Sequence, residues 1–126
     1  MGVLTTSDAL FSGAVPLAQP KDGYRFNIDS VHLAQFFAEF ATPSSRDRVC
    51  DLGAGVGVVG LSLLHLKAAN HVTFVERDAR MAALASKNVE SNERARACEV
   101  VCESVTTFDP DARFDAVVMN PPYFAK

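Results

Sequence analysis

Short apolar runs alternate with amphipathic stretches along most of the chain after residue 47. Four of the runs have the length and composition of strands: 48–52, 71–76, 99–102 and 115–119. Helical periodicity fills the intervals after the first two strands, over 58–69 and 78–91. Strands that alternate with helices of about 10 to 15 residues predict a parallel sheet. We therefore expect an α/β fold with a Rossmann-like, doubly wound parallel sheet.

The part of the chain before the first strand predicts an arm and a helix. Residues 1–28 are rich in Gly, Pro, Ser and Asp and predict an irregular or hairpin-like N-terminal arm. Asp29 and Ser30 offer N-cap oxygens to an amphipathic helix that ends at Pro43. We expect 29–126 to form the Rossmann-like domain. Three phenylalanines of the helix are expected to serve in packing: Phe36, Phe37 and Phe40.

Composition narrows the class of protein. Of the 126 residues, 48% are hydrophobic and 21% charged, which is typical of one globular domain with a substantial core. A net charge of −3 argues mildly against a stand-alone module that neutralises nucleic-acid phosphates. The three cysteines have no metal-ligand spacing, so we expect buried apolar roles and no metal site. The sequence shows neither a convincing signal peptide nor an apolar run of membrane length, which favours a cytoplasmic protein.

The sequence stops at Lys126, shortly after the fourth predicted strand. A sheet that ended at this strand would leave one of its edges unpaired. We therefore expect a core truncated after the fourth strand, as a fragment of a longer protein. The alternative is a partner on the open edge, for example a second copy in a homodimer.

A glycine-rich turn, Asp-Leu-Gly-Ala-Gly-Val-Gly, separates the first predicted strand from the helix that follows. Glycines let the backbone approach a ligand closely, and a helix N-terminus presents unpaired N–H groups. Residues 55–60 also satisfy GxGxxG, and Glu76 lies 21 residues after Gly55, where an acid can bind ribose hydroxyls. This spacing fits a nicotinamide or flavin cofactor as well as S-adenosylmethionine. Asp51 favours the latter, because a carboxylate attracts a cationic amino acid moiety and repels a pyrophosphate.

A second motif, Asn-Pro-Pro-Tyr at 120–123, follows the fourth predicted strand. Because the carboxyl ends of parallel strands share one rim, this motif should face the same crevice as the glycine turn. The Asn120 oxygen and the Pro121 carbonyl can accept the two protons of an exocyclic amine, and Tyr123 can stack on a flat base. Taken alone, the tetrapeptide also fits a simple strand break. The predicted catalytic residues are Asn120, Pro121, Pro122 and Tyr123.

With both motifs in this order, the sequence resembles the S-adenosylmethionine-dependent amino methyltransferases that carry NPPY. Within them, it is most similar to the branch that methylates the N6 of an adenine beside the anticodon of a valine tRNA. The stretch LAQPKDGYRFNIDSVHL, at 17–33, resembles the Gln-Pro, Gly-Tyr-Arg and Asp-then-Leu-Leu-Ala segment of that branch. The resemblance extends from about Ser7 to Phe124. It implies S-adenosylmethionine as cofactor and tRNA as substrate.

The resemblance also implies roles for single residues. The methionine and ribose end of the cofactor would contact the glycine turn and its neighbours: Asp51, Gly53, Ala54, Gly55, Gly57, Glu76 and Arg77. The mouth of the cofactor site would lie near Gln19, Tyr24, Arg25 and above all Asp29. Family members often carry an acid after the third strand, near the cofactor adenine, and here Glu103 and Ser104 occupy that region in a different order. Asn120 would contact the cofactor as well as the target amine.

Several alternatives stay open. The same NPPY chemistry serves any planar conjugated amine, so rRNA, DNA and a protein glutamine are alternative substrates. The GxGxxG match leaves a nicotinamide-dependent oxidoreductase as a second class of enzyme. A non-catalytic domain that assembles through its open sheet edge is a third possibility. Family members are considerably longer than this chain, so the resemblance does not imply activity of the chain alone.

Overall fold

A computed structural model of the protein describes residues 5–20, 28–111 and 113–120, with the backbone alone for 5–8. The strands are β1 (Thr5–Leu10), β2 (Val15–Pro20), β3 (Val49–Leu52), β4 (Val72–Val75), β5 (Cys98–Val101) and β6 (Ala116–Met119). The helices are α1 (Ile28–Phe40), α2 (Val58–His65) and α3 (Ala79–Ser91), and 3₁₀ turns cover Pro43–Ser45 and Ala95–Ala97.

The strands β3 to β6 form a parallel sheet in the order β5-β4-β3-β6. The chain steps outward from β3 to β5 and then returns past β3 to form β6. The strand order therefore reverses between β3 and β6, and open α/β sheets bind ligands at the carboxyl ends beside such a reversal. The predicted Rossmann-like α/β class is confirmed, and each predicted strand lies within one residue of its observed bounds.

The core lies between the sheet and α2, which is buried throughout 58–64. Helix and strand approach most closely at Gly60. A Cβ added there would lie 2.3 Å from Phe74 Cε1 and 2.8 Å from Val72 Cγ1, both in β4. Only a residue without a side chain permits this approach. The contact therefore holds α2 directly against the sheet, with its first turn at the carboxyl ends of the strands.

The start of α1 differs from the prediction. The helix begins at Ile28, so Asp29 and Ser30 lie in its first turn rather than at its N-cap. The expected packing role is also wrong for two of the three phenylalanines. Phe36 and Phe40 contact each other, with ring centroids 4.8 Å apart, but they are 63% and 65% exposed.

The end of α2 differs as well, since the helix stops at His65 rather than at residue 69. Lys67 adopts a φ of +58°, and the N–H of Ala68 donates to the carbonyl of Leu63 at 2.8 Å. A left-handed residue followed by such a bond closes the last turn of a helix. Continued apolar periodicity after residue 65 therefore reflects burial of the connection and not more helix.

The N-terminal arm contains a β-hairpin in which β1 pairs antiparallel with β2. Left-handed φ angles at Phe11 and Ser12 form its turn. Leu10, Val15 and Leu17 are buried in the same core as α2. The hairpin thus packs against α2 and α3.

The three cysteines differ in burial. Cys50 is buried, Cys98 is half-buried and Cys102 is exposed. Burial raises the pKa of the Cys50 and Cys98 thiols to about 11. The predicted buried role is wrong for Cys102, whose Sγ donates to the carbonyl of Arg77 at 3.7 Å. Across the described parts of the chain, no helix has the length and apolarity of a membrane span, and no three His, Cys, Asp or Glu side chains are grouped as metal ligands.

Candidate functional site

The four parallel strands end in register at one rim of the sheet. Their last residues form one row across it: Val101, Val75, Leu52 and Met119. The residue after β3 is Gly53 and the residue after β6 is Asn120, so the glycine turn and the second motif begin side by side. Neighbouring strands lie about 4.8 Å apart. The rim at the reversal of strand order therefore carries the first residues of both motifs.

The glycine turn is fastened to the end of β4. Gly53 and Ala54 both donate backbone N–H groups to the carbonyl of Val75, at 2.9 and 3.0 Å. Gly53, Gly55 and Gly57 have φ angles of +67°, +58° and +97°. This region costs other residues about 1–2 kcal/mol each, which explains three glycines at alternate positions. Gly57 is also the N-cap of α2 and provides no side-chain cap.

The Glu76 carboxylate joins the glycine turn to α3. Its Oε1 accepts the N–H of Gly55 and its Oε2 accepts the N–H of Asp78, both at 2.8 Å. Asp78 in turn caps α3 by accepting the N–H groups of Arg80 and Met81. A carboxylate has about four lone-pair sites, so Glu76 can hold the turn and still accept two hydroxyls.

Asp51 is directed into the core. It is 2% exposed, and its Oδ2 accepts the N–H of Gly60 at 3.0 Å. Burial raises the pKa of this carboxyl to about 7; the Gly60 bond opposes the rise and the charge of Glu76 adds to it. The carboxyl thus holds the first turn of α2. Its predicted contact with a cofactor stays a prediction.

The Asn120 side chain contacts α1. Its Nδ2 donates to Ser30 Oγ at 2.7 Å, and Ser30 is only 4% exposed. An amide NH₂ only donates, so the carbonyl Oδ1 is the atom of Asn120 that can accept an amine proton. Asp29, the residue predicted near the mouth of the site, is exposed and precedes Ser30 on the same turn.

The loop after β5 begins at the same rim. The N–H of Glu103 donates to the backbone carbonyl of Glu76 at 3.1 Å. Ser104 Oγ lies 2.9 Å from Thr106 Oγ1 and accepts the Thr106 N–H at 3.3 Å, which forms a local turn. Arg77 is exposed beside this loop. The structure therefore brings the predicted residues after the second and third strands together.

The remaining predicted residues are less informative. Gln19 is 1% exposed at the end of β2, so it is part of the packed hairpin. Five predicted residues lie outside the described part of the chain: Tyr24, Arg25, Pro121, Pro122 and Tyr123.

Sequence reasoning missed Asn88, which contacts the glycine turn. Its Nδ2 donates to the carbonyl of Val56 at 2.8 Å, and the residue is 1% exposed. The available signal was an asparagine among the apolar positions of α3, between Ala85 and Val89. A buried amide needs partners, so this position indicates a structural contact.

Residues 27–126 match the family described as "Methyltransferase small domain". The match covers well over half of the chain and includes both motifs. The chain belongs to this family. The methyltransferase resemblance drawn from the two motifs is thereby confirmed, whereas the tRNA adenine branch stays a prediction.

Several solved structures share the fold of this methyltransferase domain. A proposed RNA methyltransferase of Pyrococcus horikoshii is 28% identical, with a TM-score of 0.71 over 84% of this chain and 55% of that chain. The T. thermophilus 16S rRNA N2 G1207 methyltransferase, in complex with AdoMet and guanosine, is 24% identical, with a TM-score of 0.74 over 96% and 33%. The protein aTrm5, in complex with tRNALeu, is 21% identical, with a TM-score of 0.75 over 98% and 34%. The chain thus spans between a third and just over half of these relatives.

Proposed function

We propose that this domain binds S-adenosylmethionine and serves the transfer of its methyl group to an exocyclic amino nitrogen of a base in RNA. Adenine N6 in tRNA is the favoured target. The observation that carries the proposal is the register of β3 and β6, which pairs Leu52 with Met119, the residues directly before Gly53 and Asn120. The family of the chain and the RNA partners of its structural relatives support it.

The glycine turn and Glu76 form the donor side of the rim, and Asn120 begins its acceptor side. The donor side fits an adenosyl cofactor. A Cβ added at Gly53 would meet no atom of the described residues within 4 Å, so none of them crowds the backbone there. Glu76 has acceptor capacity for ribose hydroxyls while it holds the turn. When bound, S-adenosylmethionine supplies an electrophilic methyl group on a sulfonium sulfur. The other assigned cofactor contacts, from Asp29, Arg77, Glu103 and Ser104, are part of the proposal.

On the acceptor side, Asn120 orients the amine. Its Oδ1 accepts one amine proton, while the Ser30 bond keeps the amide from rotating. The Pro121 carbonyl would accept the second proton and Tyr123 would stack on the base. With both protons held, the nitrogen lone pair is directed out of the ring plane, and positioning supplies much of the rate. Transfer would break the sulfur–methyl bond, leave S-adenosylhomocysteine and release one amine proton to water, so the chain needs no strong base.

Cofactor titration of the chain separates the proposal from a nicotinamide enzyme. S-adenosylhomocysteine should raise the melting temperature, and NADH should not. Glu76→Gln should weaken S-adenosylhomocysteine binding about tenfold, because an amide provides one acceptor oxygen where the carboxylate provides two. Glu99→Gln, on the exposed side of β5, is the matched control. Stabilisation by NADH alone would make the methyl-donor assignment wrong.

Methyl transfer tests the acceptor side. Labelled S-adenosylmethionine is incubated with bulk tRNA and with the longest polypeptide that the reading frame of this chain encodes. Asn120→Ala should lower kcat at least about a hundredfold, with a much smaller rise in the KM for the cofactor, which Asn120 would also contact. The control is Asn70→Ala, at an exposed asparagine that bonds Asp47. An unchanged kcat would contradict the role of Asn120.

The same assay ranks the substrates. We expect N6-methyladenosine among the nucleosides of digested tRNA. Label in rRNA, DNA or a glutamine-containing protein in place of tRNA would move the assignment to another planar amine while it kept the chemistry of the site.

A further inference from the structure

The side chain of Asn88 joins three parts of the protein. On α3 it is 1% exposed. Its Oδ1 accepts the N–H of Ala18 at 2.7 Å, and its Nδ2 donates to the carbonyl of Ala18 at 3.0 Å. The second proton of Nδ2 goes to the carbonyl of Val56 at 2.8 Å. One amide therefore bonds β2 of the hairpin and the glycine turn at the same time.

The two residues that Asn88 connects differ in their relation to the methyltransferase family. Ala18 lies outside the part of the chain that matches the methyltransferase family, whereas Val56 lies between two glycines of the cofactor turn. The carbonyl of Val56 belongs to the peptide whose N–H is that of Gly57, which donates to Ala54 at 3.0 Å. A bond to that carbonyl therefore restrains the peptide that leads from the turn into α2.

Asn92 provides an internal comparison on the same helix. Its Nδ2 donates to the carbonyl of Pro16 at 2.8 Å and to that of Asn88 at 2.7 Å. Like Asn88 it fastens β2 to α3, but neither of these two bonds reaches the glycine turn. The two asparagines thus separate attachment of the hairpin from contact with the turn.

We propose that Asn88 is a positioning residue that couples docking of the N-terminal hairpin to the conformation of the glycine turn. When the hairpin is docked, Ala18 holds the amide in the orientation that presents Nδ2 to Val56. When the hairpin is loosened, the amide can rotate and the turn loses this restraint. The consequence for cofactor affinity rests on the proposed function, whereas the coupling itself does not.

The first test compares Asn88→Asp with Asn92→Asp in the full chain. Aspartate at position 88 keeps the size of the side chain and the acceptor for the Ala18 N–H, but the ionised carboxylate has no proton for the carbonyl of Val56 or for that of Ala18. We expect amide exchange over 53–57 to rise about tenfold and the Kd for S-adenosylhomocysteine to rise by a similar factor. Asn92→Asp should change both by less than about twofold.

The second test perturbs the hairpin at the turn between β1 and β2. Gly13 has a φ of +94° in the hairpin turn, with no described atom near an added Cβ, so Gly13→Val strains the turn without a contact elsewhere. Exchange over 53–57 should rise in this variant, and the control Ala14→Val should leave it unchanged. Combined with Asn88→Asp, the effects should be non-additive, because both changes remove one connection.

The outcomes are distinct for the coupling and for the function. Unchanged exchange over 53–57 in both Asn88→Asp and Gly13→Val would overturn the coupling, as would equal effects of the Asn88 and Asn92 variants. If the unsubstituted chain bound no S-adenosylhomocysteine but exchange responded as expected, the proposed function would be wrong and the coupling would stand. The Gly13 variant gives an answer even if Asn88→Asp fails to fold.

Discussion

The donor and acceptor sides of the rim are held to very different degrees. On the donor side, three polar side chains bond backbone groups of the glycine turn or of α2: Asp51, Glu76 and Asn88. On the acceptor side, Asn120 follows β6, which pairs only with β3 among the described strands. Val117 and Met119 of that strand are 55% and 50% exposed. The donor side is thus built from contacts within the described chain, whereas one face of the acceptor strand has no such cover.

Because of this difference, the fold preorganises the donor side of the proposed chemistry more than the acceptor side. The turn that would receive the cofactor needs left-handed φ angles and close helix packing, which cost free energy unless the surroundings enforce them. Its polar contacts come from the end of β4, from Glu76 directly after β4 and from Asn88 of α3. In the proposed function, orientation of the amine would depend mainly on Asn120, whose described side-chain contact is with Ser30.

The largest expected effect concerns the packing of α2 behind the donor side. Gly60→Val should lower the free energy of unfolding by about 4 kcal/mol, because the new side chain meets the Phe74 ring and Val72. Gly53→Ala, at the open rim, should cost only about 1 kcal/mol for its left-handed φ. Urea unfolding measures both. Equal losses in the free energy of unfolding for the two variants would contradict the distinction between closely packed Gly60 and uncrowded Gly53.

The next effect depends on pH and concerns Asp51. Its folded pKa of about 7 lies above the usual 3.8, so the folded protein holds this proton more tightly than the unfolded chain. The stability that the group contributes is complete below about pH 4 and is lost as the pH rises toward 7. Asp51→Asn keeps an acceptor for Gly60. At pH 8, its free energy of unfolding should therefore exceed that of the unsubstituted chain by about 1–3 kcal/mol. The gain at pH 4 should be much smaller; a gain independent of pH would contradict this account.

The smallest effect tests the acceptor strand. Val118 is 5% exposed and Val117 is 55% exposed, although they are neighbours on β6. Val118→Ala should cost about 2 kcal/mol, and Val117→Ala should stay within about 0.5 kcal/mol. Chemical denaturation of the two variants gives the comparison. A large cost at Val117 would show that the exposed face of β6 is covered in solution.

Most of the fold could be predicted from the sequence, because the two signals used are local. They are apolar runs for the strands and an N-cap residue for a helix. Apolar runs of four to six residues located the strands, and Asp78 marked the start of α3, whose N-cap it is. The start of α1 and the end of α2 differ from the prediction. Asp29 and Ser30 lie in the first turn of α1, and a left-handed Lys67 follows the end of α2. Nothing in the local pattern distinguishes such a residue from one more helical turn.

For the candidate site, the motifs predicted which strand ends meet, but not how each side chain is used. The motif predicts a carboxylate at Asp51 that attracts a cationic amino acid moiety, but not that this carboxyl is buried against Gly60, where α2 packs closely on the sheet. The roles of Asn88 and Ser30 require knowledge of which helix lies beside which loop. Such contacts between residues distant in sequence leave only a weak trace, a polar residue on an apolar stripe.

The outward edge of β2 has a consequence for association between chains. Its even-numbered residues direct their backbone groups away from β1, as the bonds from Asn88 to Ala18 and from Asn92 to Pro16 show. Pro16 and Pro20 have no N–H, and the N–H of Ala18 is already bonded. An incoming strand therefore finds no backbone donor on β2 along this edge, and this side of the hairpin is protected against the strand addition that leads to aggregation.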